Sequence, residues 1–214
     1  MEEKFHILPL RMSIASVWML SPDYIGIRKH LEDRGYTVEG PEIQRRPDLL
    51  AIKGTIEVYS SEERRTLGVR GLTSTSDLVE SYKELIDINL DMLGVDPANI
   101  MFHEFIGDLT VSTGADPMDV LSKVNQKLDI IRGISSIFGV ETAAIGLQIA
   151  SKEDSPTKAK WLNIMIEPLF VSFHKRYHVR IVYRDALDSV ISLVKHLETI
   201  IKQTINKIEK DARS

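Results

Sequence analysis

Apolar and polar residues alternate one by one between positions 50 and 59. Leu50, Ile52, Gly54, Ile56 and Val58 fall on one side, and Ala51, Lys53, Thr55, Glu57 and Tyr59 on the other. A period of two predicts a strand with one buried and one open face. Ser60-Ser61-Glu62-Glu63 reads as a hairpin turn, after which residues 65–70 return with Leu67 and Val69 inward and Thr66, Gly68 and Arg70 outward. Upstream, residues 5–20 predict a first strand bent at Pro9. Ser21 and Pro22 then open a helix, since Ser caps an orphan N–H and Pro at the first helical position lacks one. That helix runs to about Arg34, Gly35 ends it, and a short strand follows near Ile43. Downstream the period lengthens to that of a helix. Leu78, Val79, Tyr82, Leu85, Ile86, Met92 and Leu93 make one stripe behind a Thr75 or Ser76 cap, and Gly94 ends it.

A similar succession is predicted from Ile100 onward. Residues 100–112 form a strand, and Asp116 caps a helix started by Pro117. Its stripe is Val120, Leu121, Val124, Leu128, Ile131, Ile134 and Phe138, stopped by Gly139. Strands follow over residues 141–150, 161–169 and 177–184, with an exposed charged loop at 151–160. A last helix opens at Asp185 and reaches Lys210. Each half reads β-α-β-β-β-α, and Gly94-Val95-Asp96-Pro97 is the joint. The prediction is an α+β protein of two pseudo-repeats, residues 1–96 and 97–214, whose antiparallel strands form one sheet or two backed by helices.

Composition narrows the function classes. Of 214 residues, 43% are hydrophobic and 27% charged, the balance of a soluble globular chain. A net charge of -4 argues against a generally basic nucleic-acid binder. The charge is uneven: residues 1–96 carry 12 Lys+Arg against 17 Asp+Glu, and the remainder 15 against 14, so an anionic ligand should prefer the second half. The absence of Cys excludes disulfides, thiolate catalysis and Cys-ligated zinc. The longest apolar run, residues 14–20, is broken by Ser16 and falls short of the roughly 20 residues a bilayer span needs. Met1-Glu2-Glu3-Lys4 lacks a signal-peptide pattern, and a cytoplasmic location is expected.

Thr55-Ile56-Glu57-Val58-Tyr59-Ser60-Ser61, followed by a returning strand, Gly71 and an amphipathic helix closed by Gly94-Val95, resembles a segment of the TATA-box-binding-protein family. The two-repeat order of elements is similar to that fold as well. The resemblance implies a TATA-box-binding-protein-like sheet, and in that family aromatic residues on the sheet wedge into the DNA minor groove. Tyr59 falls where one such phenylalanine lies. Glu62-Glu63 replaces the family's glycine and lysine, the Phe-Pro-Gly turn of the second wedge has no counterpart, and residues 170–177 depart from the pattern.

The sharpest local chemistry is the run Phe173-His174-Lys175-Arg176-Tyr177-His178-Val179-Arg180-Ile181-Val182-Tyr183-Arg184, rich in base and free of acid. With Tyr177, Val179, Ile181 and Tyr183 inward, His178, Arg180 and Arg184 line the open face, as Arg70 does in the first half. Guanidinium forks suit phosphate, so Tyr59, Arg70, His178, Arg180 and Arg184 are candidate anion or nucleic-acid contacts. The first reading of these residues is a solvated face; partners of Glu57 and Glu167 on neighbouring strands are a further alternative. Trp161 and Met165, opposite Leu162, Ile164 and Ile166, are candidate protein contacts, a use to which exposed Trp and Met are often put. Ile201, Ile205 and Ile208 extend that set: the last helix is longer than one small sheet needs, so its end should protrude and pair, with homodimerisation as the simplest outcome. His174 and His178 lie about 13 Å apart on a strand, too far for one metal ion. No phosphate loop, nucleophile elbow or His-Glu-x-x-His motif occurs. The expectation is a non-enzymatic binding protein without cofactor or metal. It would use the open sheet face or the last helix for a protein partner or for itself. Nucleic-acid binding through the sheet and an unrecognised small-molecule enzyme are the alternatives.

Overall fold

The computed structural model describes residues 5–126, 135, 137, 143–152, 158–169 and 176–213. Eight strands, β1 (His6–Trp18), β2 (Leu49–Lys53), β3 (Ile56–Ser61), β4 (Thr66–Gly71), β5 (Ile100–Ser112), β6 (Leu147–Ala150), β7 (Trp161–Pro168) and β8 (Arg176–Asp185), form one antiparallel sheet. Their order is β2-β3-β4-β1-β5-β8-β7-β6. The two long strands β1 and β5 pair at the centre, with a register shift between Pro9 and Arg11 where a bend was expected. Pro9 has no N–H to give the ladder, so an irregularity there is the usual accommodation.

Among the described residues there are six α-helices: α1 (Tyr24–Asp33), α2 (Pro41–Arg45), α3 (Thr75–Asp87), α4 (Pro117–Asn125), α5 (Leu187–Lys195) and α6 (Leu197–Arg213). They supply Ile27, Leu31, Leu78, Tyr82, Leu85, Val120, Leu121, Val190, Val194 and Ile201 to a core shared with one set of alternate strand residues. On the strands that set is Met12, Ile14 and Trp18 on β1, Val58 on β3, Leu67 and Val69 on β4, Phe105, Leu109 and Val111 on β5, Ile166 on β7, and Tyr177, Val179 and Ile181 on β8. The five helices that contribute, all but α2, therefore lie on one face.

Several local elements differ from the pattern's prediction. The alternating run 50–59 is two strands, because Gly54 adopts φ +60° and a two-residue turn, Gly54-Thr55, folds β2 back on β3. Left-handed backbone is open to glycine at no steric cost, and a period-two count does not register a chain reversal. The strand expected near Ile43 is the short helix α2, with Pro41 in its first turn. The first helix starts at Tyr24 and is capped by Asp23, whose carboxylate accepts from the N–H groups of Ile25 and Gly26, so Ser21 and Pro22 lie outside it. The second proline-started helix is as predicted, with the Asp116 side chain accepting from the Met118 N–H. Its expected continuation through Leu128, Ile131, Ile134, Phe138 and Gly139 lies outside the described residues, as do Glu141, Phe173, His174 and Lys175. Ser74 caps α3, one residue before the expected cap. A π-helical turn, Ile88–Met92, follows it. The wider turn shifts the phase of the stripe, and Met92 is exposed while Ile88 is buried.

The largest correction concerns the last helix. It breaks at His196, whose Nδ1 lies 2.8 Å from the Ser192 carbonyl, and α6 turns to pack on α4. Ile201, Ile205 and Ile208 are buried in the chain's own core. They are core residues and not partner contacts. The excess length that suggested a protruding end is taken up by the break.

Candidate functional site on the open sheet face

The face opposite the helices carries the other strand set, and the registers align it into rows across the sheet. One row runs Glu57, Arg70, Ser13, Ile106, Val182, Asn163 and Ala150 from β3 to β6. A second runs Tyr59, Gly68, Ala15, Glu104, Arg184 and Trp161. A third holds Arg11, Asp108, Arg180, Met165 and Gln148, and a fourth Leu8, Thr110, His178 and Glu167. All five candidate anion contacts, and Trp161 with Met165, thus lie on this one face.

The arginines differ in what they have to offer. Arg70 is nearly buried: its Nε donates to Glu57 at 2.7 Å and its Nη2 to Asp48 at 2.7 Å, while its guanidinium lies over the Tyr59 ring at 4.7 Å. Glu57 is also held by both Nη atoms of Arg46, at 2.6 and 2.7 Å. The bond from Arg46, with help from Arg70, holds the Glu57 carboxyl down to about 2, against the pull of burial. Arg184 pairs with Glu104 and lies between the Phe102 and Trp161 rings, 4.9 and 5.4 Å from their centres. His178 sits between Glu167 at 3.0 Å and Asp108 at 3.5 Å. Arg70, Arg184 and His178 are therefore engaged by carboxylates of the chain, Glu57 and Glu167 among them. Cross-strand pairing is one of the readings the sequence left open.

Arg180 and Arg11 stand apart. Arg180 is half exposed and comes no nearer than 3.9 Å to Asp108, a charge contact beyond hydrogen-bond range. Arg11 is exposed and has no ion pair among the described residues. Arg11 is not among the residues singled out from the sequence, although its alternation with the buried Met12 and Ile14 is the signal that places it on the open face.

Arg11 and Arg180 border a hollow of about 220 Å³ at the middle of the sheet, shared with Ser13, Tyr59, Arg70 and Asp108, with Ile106 as an apolar wall. Gly68, beside it, lets β4 approach β1 closely. A Cβ there would come within 2.6 Å of Ala15 Cβ and of the Ile14 carbonyl oxygen, so only glycine allows β4 to sit this close to β1. The Tyr59 side chain crosses that gap towards Ser13. Burial raises its hydroxyl pKa, partly countered by a hydrogen bond with Ser13 and by the positive charges of Arg70 and Arg11.

Glu57 provides a direct check on the clamp. Glu57→Gln should lower unfolding stability by about 1–3 kcal/mol, since Arg70 keeps Asp48 but loses a charged acceptor in a largely buried setting. Because the folded-state carboxyl lies below its unfolded value, its contribution is fully present above about pH 4.5 and is lost as pH falls towards about 2. Urea unfolding of both proteins at pH 7 and pH 3 measures it; a variant as stable as the parent at pH 7 would remove Glu57 as the anchor.

The core face also carries buried polar contacts, one of them between Tyr82 and His103. The Tyr82 hydroxyl and His103 Nδ1 are 2.6 Å apart, and burial holds His103 down to about 4. The His103 edge reaches a more apolar hollow of about 460 Å³ lined by Ile86, Leu90, Ile100, Phe102 and Leu187. Among the described residues no group of three or more metal-ligating side chains converges, and no helix is long and apolar enough to cross a membrane. No family model matches the chain, and a search of curated proteins likewise finds no match.

Proposed function

We propose that the chain is a non-enzymatic binding protein built from two copies of one β-α-β-β-β-α unit, residues 1–96 and 97–214, in the manner of the TATA-box-binding-protein fold. Its working surface is the open face of the sheet, used for a protein partner or a second copy. What carries this reading is one observation: the five helices that feed the core all pack on one face of the sheet, and the other face has a central hollow with two arginines at its rim. The mirrored strand order on either side of β1 and β5 supports the duplication.

The distribution of charge favours a protein partner over nucleic acid. Glu57, Glu104, Asp108 and Glu167 alternate with the arginines across the face. A phosphodiester backbone, with a charge at every nucleotide, would meet these acids as often as the bases. Mixed charge with half-buried Trp161, Met165, Ile106 and Val182 suits a polar protein interface. Expected results are specific. A photo-crosslinker at Val182 gives discrete products, with itself or with another protein in cell extract, and the same group at Ile25, exposed on α1, does not. Light scattering then tells a second copy from a different partner. Equal products from both positions, or none, would refute the open face as the binding surface.

A further inference from the structure

We propose that the hollow between Arg11 and Arg180 receives a single carboxylate of a protein partner, a chain terminus or an Asp or Glu side chain. This rests on the open face being the binding surface, and it names the chemistry that surface recognises.

The argument starts from charge. Arg70, Arg46, Glu57 and Asp48 form a closed set of two bases and two acids. In the next row Arg11 and Arg180 flank Asp108 alone. At the rim of the hollow Arg11 and Arg180 outnumber Asp108 by one positive charge, which suits one carboxylate better than a run of phosphates. Hydrogen-bond capacity agrees. The guanidinium of Arg180 makes no hydrogen bond to its one neighbouring acid at 3.9 Å, and Arg11 has no ion pair among the described residues. Two planar forks with donors to spare meet a carboxylate edge-on, the geometry that guanidinium favours. Ser13 and Tyr59, hydrogen-bonded to each other, line the same hollow and leave one hydroxyl as a further donor.

Size and lining complete the case. At about 220 Å³ the hollow is smaller than the roughly 300–1,000 Å³ of pockets that enclose a drug-sized molecule. It fits a head group whose remaining chain runs outside. The Tyr59 ring and Ile106 offer apolar walls for the methylene or Cα that bears the carboxylate. Asp108 at the rim sets a second condition: it repels a second negative charge close to the first, so isolated carboxylates are preferred to dense polyanions.

The test uses the full chain with three probes: N-acetylglycine, inorganic phosphate and a short single-stranded oligonucleotide. Arginine Nε–Hε resonances are followed by NMR at low salt. N-acetylglycine should shift the Arg11 and Arg180 signals saturably, and Arg11→Ala or Arg180→Ala should weaken its binding about tenfold, the loss of a charge-assisted bond. Arg176→Ala, on β8 but outside the hollow, should leave the affinity unchanged. Both test positions are exposed and free of buried ion pairs, so the variants fold. Absence of a saturable shift overturns the proposal, and so does phosphate binding more tightly than the carboxylate. Oligonucleotide binding at these two arginines with a steep salt dependence overturns it in favour of nucleic acid. Crosslinking at Val182 with no response to N-acetylglycine would sink the carboxylate site while leaving the open-face reading intact.

Discussion

Acidification from pH 7 to pH 4 is expected to destabilise this fold by on the order of 3 kcal/mol through His103 alone. The imidazole is buried on the core face of β5, edge-on to Tyr82 with ring centres 5.9 Å apart, and burial holds its pKa near 4 against an ordinary value of 6.5. The sign is the reverse of a histidine that gains an ion-pair partner. In the unfolded chain His103 takes up a proton below about pH 6.5; in the folded chain it resists until about pH 4. Between those limits the unfolded state binds more protons, so stability falls as pH falls, and below about pH 4 this contribution levels off. Carboxylates titrate in the lower part of the same window, so the measurement is a difference. Urea unfolding of the parent and of His103→Gln, at several pH values from 7 to 4, should show the parent losing the larger amount. Glutamine keeps a hydrogen-bonding partner for the Tyr82 hydroxyl and cannot take up a proton. Parallel pH curves would show that His103 does not titrate with folding.

Ile205→Ala should cost about 2–5 kcal/mol of stability, the usual loss for a large aliphatic side chain removed from a closed core, and should leave the mass in solution unchanged. Ile205 is fully buried on α6, on the same face as Ile201 and Ile208. Nearby, the Glu209 carboxylate accepts hydrogen bonds from the Thr113 and Tyr177 hydroxyls, tying α6 to the end of β5 and to β8. If the helix were instead a dimer surface, the substitution would convert a dimer to a monomer at little cost to the folded chain. Chemical unfolding together with light scattering separates the two, and a monomerised but equally stable variant would restore the helix as an interface.

Both expectations depend on the same architecture, and its parts were unequally visible in the chain. The amphipathic stripe of α3 predicted its buried residues, because Leu78, Val79, Tyr82, Leu85 and Ile86 all serve one neighbouring surface at the helical period. The inward set of β8 was equally plain, since Tyr177, Val179 and Ile181 alternate with bases and all three are buried. Failures came where a rule about a few residues had to choose between two chain directions. Gly54-Thr55 reads as the middle of a strand until the chain is seen to reverse there. The repeated serine- or aspartate-capped, proline-started helix was half right: Asp116-Pro117 begins α4, whereas Asp23 takes over from Ser21 at α1. A cap motif states what a helix start requires and does not say which of two neighbouring candidates the packing will select.

The candidate site follows the same division. Sequence placed Tyr59, Arg70, His178, Arg180, Arg184, Trp161 and Met165 on the outward side of their strands, and all seven share one face. Alternation is a local property, so facing is determined by the chain itself. Which arginine is spoken for is not local. Arg70 meets Asp48 and Glu57 from two other segments, and Arg184 meets Glu104 from a strand 80 residues away in the chain. Arg11 joins Arg180 only because β1 and β8 both lie beside β5. The chain by itself determined most element types, most inward faces and the basic character of β8. Tertiary structure decided the single sheet, the break at His196, the burial of Ile201, Ile205 and Ile208, and the two guanidiniums left over. Those outcomes depend on long-range strand pairing and on charge neutralisation across strands, and neither has a signature within a window of neighbouring residues.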